Sequence, residues 1–255
     1  MKNTNAMNKE MPQGETIVFH WQKLYTIGAI AAILAMLVSV SDVVLGFGAT
    51  EVVINGTRSA AEWFAIFQES PFDGLYALGL LNIFYMIAML PVYFALLWAH
   101  RRLQGVQAGL VMIVFLLATS IYISTNAAVP LLVLSNKYAL ATTDLQKTIL
   151  IAAGESILAR GEDFTPGSFI SLLLGTIAAI SISIVMLQGG IFGRRNAWIG
   201  IIGFTCLFLF TIVATFVPAL YNIAFYGFAS LGGILALTWF ALVARRLFQL
   251  GISEE

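Results

Sequence analysis

Seven polar side chains, set in otherwise apolar stretches, carry whatever chemistry this chain performs: Asp42, Asn82, Tyr85, Tyr122, Asn126, Asn222 and Tyr226. Asp42 is the one acid or base between Leu24 and Phe47. A carboxylate ringed by amides and phenols can hold a proton, a cation or an amine, because it supplies charge while its neighbours supply donors and acceptors. Catalysis by one carboxylate without a nucleophile, a metal or clear oxyanion donors would be unusual. Two readings of Asp42 stay open. It lines a ligand pocket, or it sits at the membrane boundary, caps helix ends and sees water.

The residues that would widen this chemistry are missing from the sequence. His20 and His100 fall on different elements, and no HExxH, GxSxG, phosphate-binding or dinucleotide-binding pattern occurs. The single cysteine, Cys206, lies in an apolar run and excludes an internal disulfide or a cysteine metal cluster. The expectation is therefore a non-enzyme without metal or cofactor. An intramembrane enzyme using Asp42 as a lone acid or base is the alternative.

The elements that must position these groups are membrane-spanning helices. Hydrophobic residues make up 60% of the chain and charged ones 10%, with mean hydropathy +0.91. A soluble domain carries roughly 25% charge, so composition alone assigns an integral membrane protein. A formal net charge of zero excludes a polybasic nucleic-acid binder. Six apolar spans follow one another: 24–47, 75–98, 107–134, 168–187, 197–217 and 220–243. Each approaches or exceeds the ~20 residues that cross a bilayer core as a helix. In the first, Gly28, Ala31, Ala35, Ser39, Asp42 and Gly46 recur at spacings of three and four and share one face, with Ile30, Ile33, Leu34, Leu37 and Val44 mostly on the others. Small faces are where helices approach each other in lipid, so this stripe, Asp42 included, turns into the bundle.

Orientation follows from the basic residues. Lys2, Lys9, Lys23, Arg101, Arg102, Arg194, Arg195, Arg245 and Arg246 fall on one side of an alternating six-span chain. The other side holds Arg58, Lys137, Lys147 and Arg160 against Glu51, Glu62, Glu69, Asp73, Asp144, Glu155, Glu162 and Asp163. Both termini are therefore expected in the cytoplasm. Residues 1–23 form a polar cytoplasmic segment with no cleavage site after the first span, 24–247 the six-helix domain, and 248–255 a cytoplasmic tail. The long loops are outside, and each contains an amphipathic helix. Ser59 with Glu62, and Thr143 with Gln146, are capping boxes. Ala60, Trp63, Phe64 and Phe67 form an apolar stripe in the first; Leu145, Ile149, Ala152, Ala153 and Ile157 form one in the second. These helices either bind headgroups or roof a cavity. Asn55-Gly56-Thr57 matches a glycosylation sequon on the outer side.

Counting residues at ~1.5 Å each places Asp42, Asn82, Tyr85, Tyr122, Asn126, Asn222 and Tyr226 together in the outer half. Pro91 interrupts the second span and is the best hinge candidate; Pro130 and Pro218 lie near helix ends. His100 beside Arg101 and Arg102 extends a headgroup-binding cluster, and Gly105 with Gly109 forms a GxxxG that packs inside the bundle or pairs two copies of the chain.

Gly79-Leu80-Leu81-Asn82-Ile83, Gly193-Arg194-Arg195-Asn196-Ala197-Trp198 with Gly200 and Gly203, and the run from Trp239 to Gly251 give the chain a resemblance. It resembles a family of bacterial six-helix membrane proteins known as a domain of unknown function, with amphipathic segments before the second and fourth helices. The resemblance implies a bacterial inner-membrane location and carries no catalytic residues with it. The expected function is binding, sensing or transport of a small molecule, ion or lipid through the outer pocket, with a scaffold for a partner protein as a further alternative. The expected partners are the bilayer and that ligand, and no nucleic acid.

Overall fold

A computed structural model describes residues 21–48 and 58–252. The sequon at Asn55, His20 and most of the polar N-terminal segment lie outside the described residues. Within them the chain is helical, with no strand. The elements are α1 (Trp21–Gly48), α2 (Ala60–Glu69), α3 (Pro71–Ala77), α4 (Leu80–Thr125), α5 (Ala128–Leu140), α6 (Asp144–Gly161), α7 (Phe169–Gly189), α8 (Arg194–Phe216), α9 (Tyr221–Ala224) and α10 (Ser230–Ile252). Five stretches are long and apolar enough to cross a membrane, the second being Leu80–Leu140.

That second stretch doubles back. Backbone angles inside α4 leave the helical region at Gln104, with φ −136° and ψ 33°. Thr119 lies 33 residues after Met86, which a straight helix would turn into ~50 Å. Its hydroxyl nevertheless stands 4.0 Å from the Met86 sulfur, and the rings of Tyr93 and Phe115 stack at 4.0 Å. The two legs of α4 are thus antiparallel neighbours.

The long helices close a ring in which α1 packs on α4, α4 on α7, α7 on α8, α8 on α10, and α10 on α1. Close approach explains the small residues. A Cβ on Gly28 would stand 2.6 Å from the Ala95 Cβ and 3.3 Å from the Pro91 carbonyl. Gly28, Ala31 and Ala35 are buried while Ile30, Ile33, Leu34, Leu37 and Val44 are exposed, as the stripe predicts. On α10 Gly232 meets α8, where a Cβ would stand 2.9 Å from the Gly203 carbonyl, while Gly233 has open space. Gly105 and Gly109 have open space where a Cβ would be, so the GxxxG does not pack within the bundle.

One end of the bundle gathers basic residues. The Trp21 and Trp98 rings stack at 3.3 Å, and the Arg101 guanidinium lies 3.8 Å from the Trp98 ring centre. Arg246 Nε donates to the Ile191 carbonyl at 2.9 Å. His100 does not join this surface. It is fully buried, its Nδ1 stands 2.8 Å from the Leu96 carbonyl, and its ring stacks on Phe192 over Gly189, where a Cβ would come within 2.6 Å. A niche left by a glycine has drawn the ring inward.

The other end carries a cap. Helices α2, α3, α5 and α6 share a second apolar core around Trp63, Phe64, Phe67, Leu131 and Leu158. Both capping boxes form, Ser59 with Glu62 and Thr143 with Gln146. The Glu155 carboxylate accepts the Ala60 N–H at 2.7 Å and completes the α2 N-terminus. The buried face of α6 is Gly154, Leu158 and Gly161, whereas Leu145, Ile149 and Ala152 are exposed. The predicted stripe is displaced because the crossing with α2 is made by Gly154, whose Cβ would stand 2.6 Å from that of Ala60. Hydropathy does not register a glycine contact.

Candidate functional site

Three interruptions of the helical chain meet where the cap joins the bundle. The first is Leu78–Gly79, between α3 and α4, where Gly79 takes φ +79°. A Cβ there would stand 2.6 Å from the Tyr122 hydroxyl and 3.1 Å from Asp163 Oδ2, so glycine serves both the turn and the close approach. The second is Asn126–Ala127, between α4 and α5. Pro130 has no N–H for the Asn126 carbonyl and its ring crowds it, so the helix stops there. The third is the segment after α6, where Phe164 adopts φ +61°. A Cβ on Gly161 would run into the Thr125 carbonyl, which brings the third break onto the second.

Hydrogen bonds stitch these breaks together. Asn126 Nδ2 donates to the Leu78 carbonyl at 3.0 Å, while its Oδ1 accepts the Ala128 N–H at 3.0 Å and caps α5. Asn82 Nδ2 and the Tyr122 hydroxyl both donate to Asp163 Oδ2, at 3.2 and 3.1 Å. The same hydroxyl lies 3.5 Å from the Gly79 carbonyl. The Tyr76 hydroxyl donates to the Asp42 backbone carbonyl at 2.6 Å and ties α3 to α1.

The centre of this cluster is Asp163, not Asp42. Asp163 keeps part of its surface exposed, yet its Oδ1 is shielded from solvent and accepts no hydrogen bond. Burial pushes its carboxyl up to about 6; the bonds from Tyr122 and Asn82 pull it down, and the charge of Asp42 adds to the rise. Burial also raises the neighbouring Glu162 carboxyl to about 7. Trp63 and, least of all, Arg58 oppose that rise, and Asp163 and Glu155 reinforce it. Trp63 Nε1 makes no hydrogen bond of ordinary geometry, so its effect on Glu162 is that of a nearby dipole. Burial, then Asp42, raises the Tyr76 phenol to about 12.

Of the seven residues the sequence assigns to a pocket, Asn82, Tyr122 and Asn126 meet at the seam, and half-buried Asp42 borders it. Tyr85 turns into the bundle core, its ring 6.0 Å from that of Phe240. Asn222 and Tyr226 are exposed, Tyr226 at 66%, so neither lines the cluster. The sixth span opens with a 3-10 turn (Pro218–Leu220), a short α-turn and a π-turn, and a face counted at 3.6 residues per turn fails across them. Pro91 sits inside a continuous helix, half-buried against Gly28; the breaks fall at Gly79, Gln104 and Asn126 instead.

The arrangement offers one carboxylate with one satisfied and one free oxygen, two neutral donors, and no nucleophile beside a base. Among the described residues no three His, Cys, Asp or Glu side chains are grouped to hold a metal ion. No family model, curated protein or solved structure matches the chain.

Proposed function

We propose that this chain is a non-enzymatic membrane protein that binds, senses or transports a small ion or molecule at the seam between cap and bundle. The two legs of α4 each approach or exceed the ~20 residues that span a bilayer core, which makes six crossings of the five apolar stretches. With the arginine-bearing end placed inside by the charge rule, both termini are cytoplasmic and the cap is outside. A bacterial inner membrane is the location the family resemblance suggests.

The observation that carries the reading is the convergence of Asn82 and Tyr122 on the shielded carboxyl of Asp163, at a joint between two separately packed cores. A carboxyl held away from water beside specific donors is a candidate functional group. Polar seams between separately packed units are also where ligands enter.

The test is thiol access. Asn82→Cys in a Cys206→Ser background is treated in sealed vesicles with a membrane-impermeant thiol reagent from the cap side. Modification within minutes is expected. A thiol that reacts only after unfolding would make the seam a sealed structural joint and end this reading.

A further inference from the structure

We propose that the free oxygen of Asp163, Oδ1, seats one monovalent cation, either an alkali-metal ion or the ammonium head of a small amine, reached from the capped end. The inference rests on the seam being a binding site and names what it binds. One oxygen of the carboxylate is already served by two neutral donors, Asn82 Nδ2 and the Tyr122 hydroxyl. The other is shielded from solvent and accepts nothing. A carboxylate taken out of water needs a partner for its charge as well as for its lone pairs.

No described residue that acts on Asp163 supplies that charge. The groups that act on Asp163 are Tyr122 and Asn82 from α4 and Asp42 from α1, with no lysine or arginine among them. Its chain neighbour Glu162 is acidic too, and Arg58, the base that acts on that residue, is the weakest of the influences upon it. A second carboxylate at Asp42 deepens the negative potential instead of relieving it. The deficit at Asp163 is one positive charge and at least one donor or Lewis-acidic contact. An incoming cation answers both.

The stoichiometry of ligands sets the charge class. With no trio of His, Cys, Asp or Glu among the described residues, a divalent or transition ion lacks the ligand set that would replace its water. A single carboxylate suits an ion of charge one. Gly79 contributes by what it lacks. A Cβ there would stand 2.6 Å from the Tyr122 hydroxyl and 3.1 Å from Asp163 Oδ2, so glycine leaves room for the hydroxyl to reach the carboxylate. Interrupted helices whose free carbonyls flank a carboxylate are a recurring way to hold such ions within membranes.

The experiment uses the full chain in lipid nanodiscs at pH 8, with thermal unfolding followed in sodium, potassium, methylammonium or choline chloride at equal ionic strength. Choline is the control, too bulky for the seat. At least one of the other three raises the midpoint saturably, by ~3 °C or more over choline. Sodium or potassium acting without methylammonium assigns an alkali-metal ion; methylammonium acting alone assigns an amine. Asp163→Asn abolishes the shift and Asp42→Asn retains it. Should Asp163→Asn fail to fold, Tyr122→Phe replaces it and changes the apparent affinity at least ~3-fold. Midpoints in all three salts equal to that in choline would overturn the cation seat. With Asn82→Cys still open to the thiol reagent, such a result leaves the seam as a site for another ligand. With that thiol sealed, the broader reading falls as well.

Discussion

The bundle and the cap are built by different rules, and the difference explains where the polar cluster lies. Bundle helices cross on small residues: Gly28 on Ala95, Gly203 on Gly232, and Gly200 against Ser183 and Trp239. In lipid nothing hydrophobic drives helices together, so intimate packing must do it. The cap closes as a small soluble domain does, on buried Trp63, Phe64 and Phe67, with both capping boxes formed and with Ser135 bridging Gln68 and the Phe64 carbonyl at 2.9 and 3.0 Å. Each unit has a core of its own. What remains for the seam is the backbone of three chain breaks, and backbone groups there need polar partners.

If the units are separable, truncating a cap aromatic will melt the cap and leave the bundle. Phe64→Ala removes a fully buried ring from the cap core, a loss of ~3–5 kcal/mol. Hydrogen exchange followed by mass spectrometry should show residues 60–161 losing protection, with α1, α7, α8 and α10 unchanged. Equal loss in both regions would show that cap and bundle are one cooperative unit.

Gly161→Ala addresses the joint between them. The added methyl runs into the Thr125 carbonyl, and relief of such overpacking costs ~1–3 kcal/mol. Because Gly161 belongs to the cap and Thr125 to the bundle, protection should fall at the ends of both α6 and α4. A drop confined to α6 would mean that the seam yields without cost to α4.

The contrast also separates what could be read in the sequence from what could not. Bundle helices and their inward faces were legible, because a stripe such as Gly28, Ala31 and Ala35 is local and periodic. Asp42 attracted attention as the lone acid of an apolar span. Asp163 passed as one of eight acids on the outer side, since it lies in a connecting segment that no period describes. The signal available was its company: Gly161, Pro166 and Gly167 around Glu162-Asp163 announce an irregular backbone in need of partners. Asn82, Tyr122 and Asn126 stand out in the sequence as polar groups in apolar spans, and the structure brings them together at the seam. Asn222 and Tyr226 were misplaced by a π-turn, which carries no mark in composition.

Acidity should act on the cap's attachment and not on the bundle. In the closed seam burial raises Asp163 from 3.8 to about 6 and Glu162 from 4.5 to about 7. A carboxyl that binds its proton more tightly when closed favours closure where it is protonated. Attachment is therefore strongest below about pH 4, weakens as pH rises through 6 to 7, and is flat above. Cap unfolding followed by Trp63 fluorescence should give a midpoint that falls across that window. Asp163→Asn removes the lower part of the fall and Glu162→Gln the upper part. A bundle midpoint that moves in parallel would contradict the division.

The smallest expected effect is the sharpest probe of where the cap's stability resides. The Ser59 hydroxyl accepts the Glu62 N–H at 3.4 Å, and the Glu62 carboxylate accepts the Ser59 N–H at 2.7 Å, which fixes the first turn of α2 directly under Trp63. Ser59→Ala should cost ~1 kcal/mol, felt only in the cap. Glu62 titrates in the opposite sense to the seam acids. The Ser59 backbone N–H, then its hydroxyl, holds the Glu62 carboxyl below its usual 4.5, so the box loses strength as pH falls below that value, where the seam is close to its strongest. Acidifying from pH 5 to 3 should therefore loosen α2 in the wild type and change little in Glu62→Gln, while α6 stays anchored in both. If α2 and α6 loosen together, the cap is held mainly by its seam, and its own core is the lesser contribution.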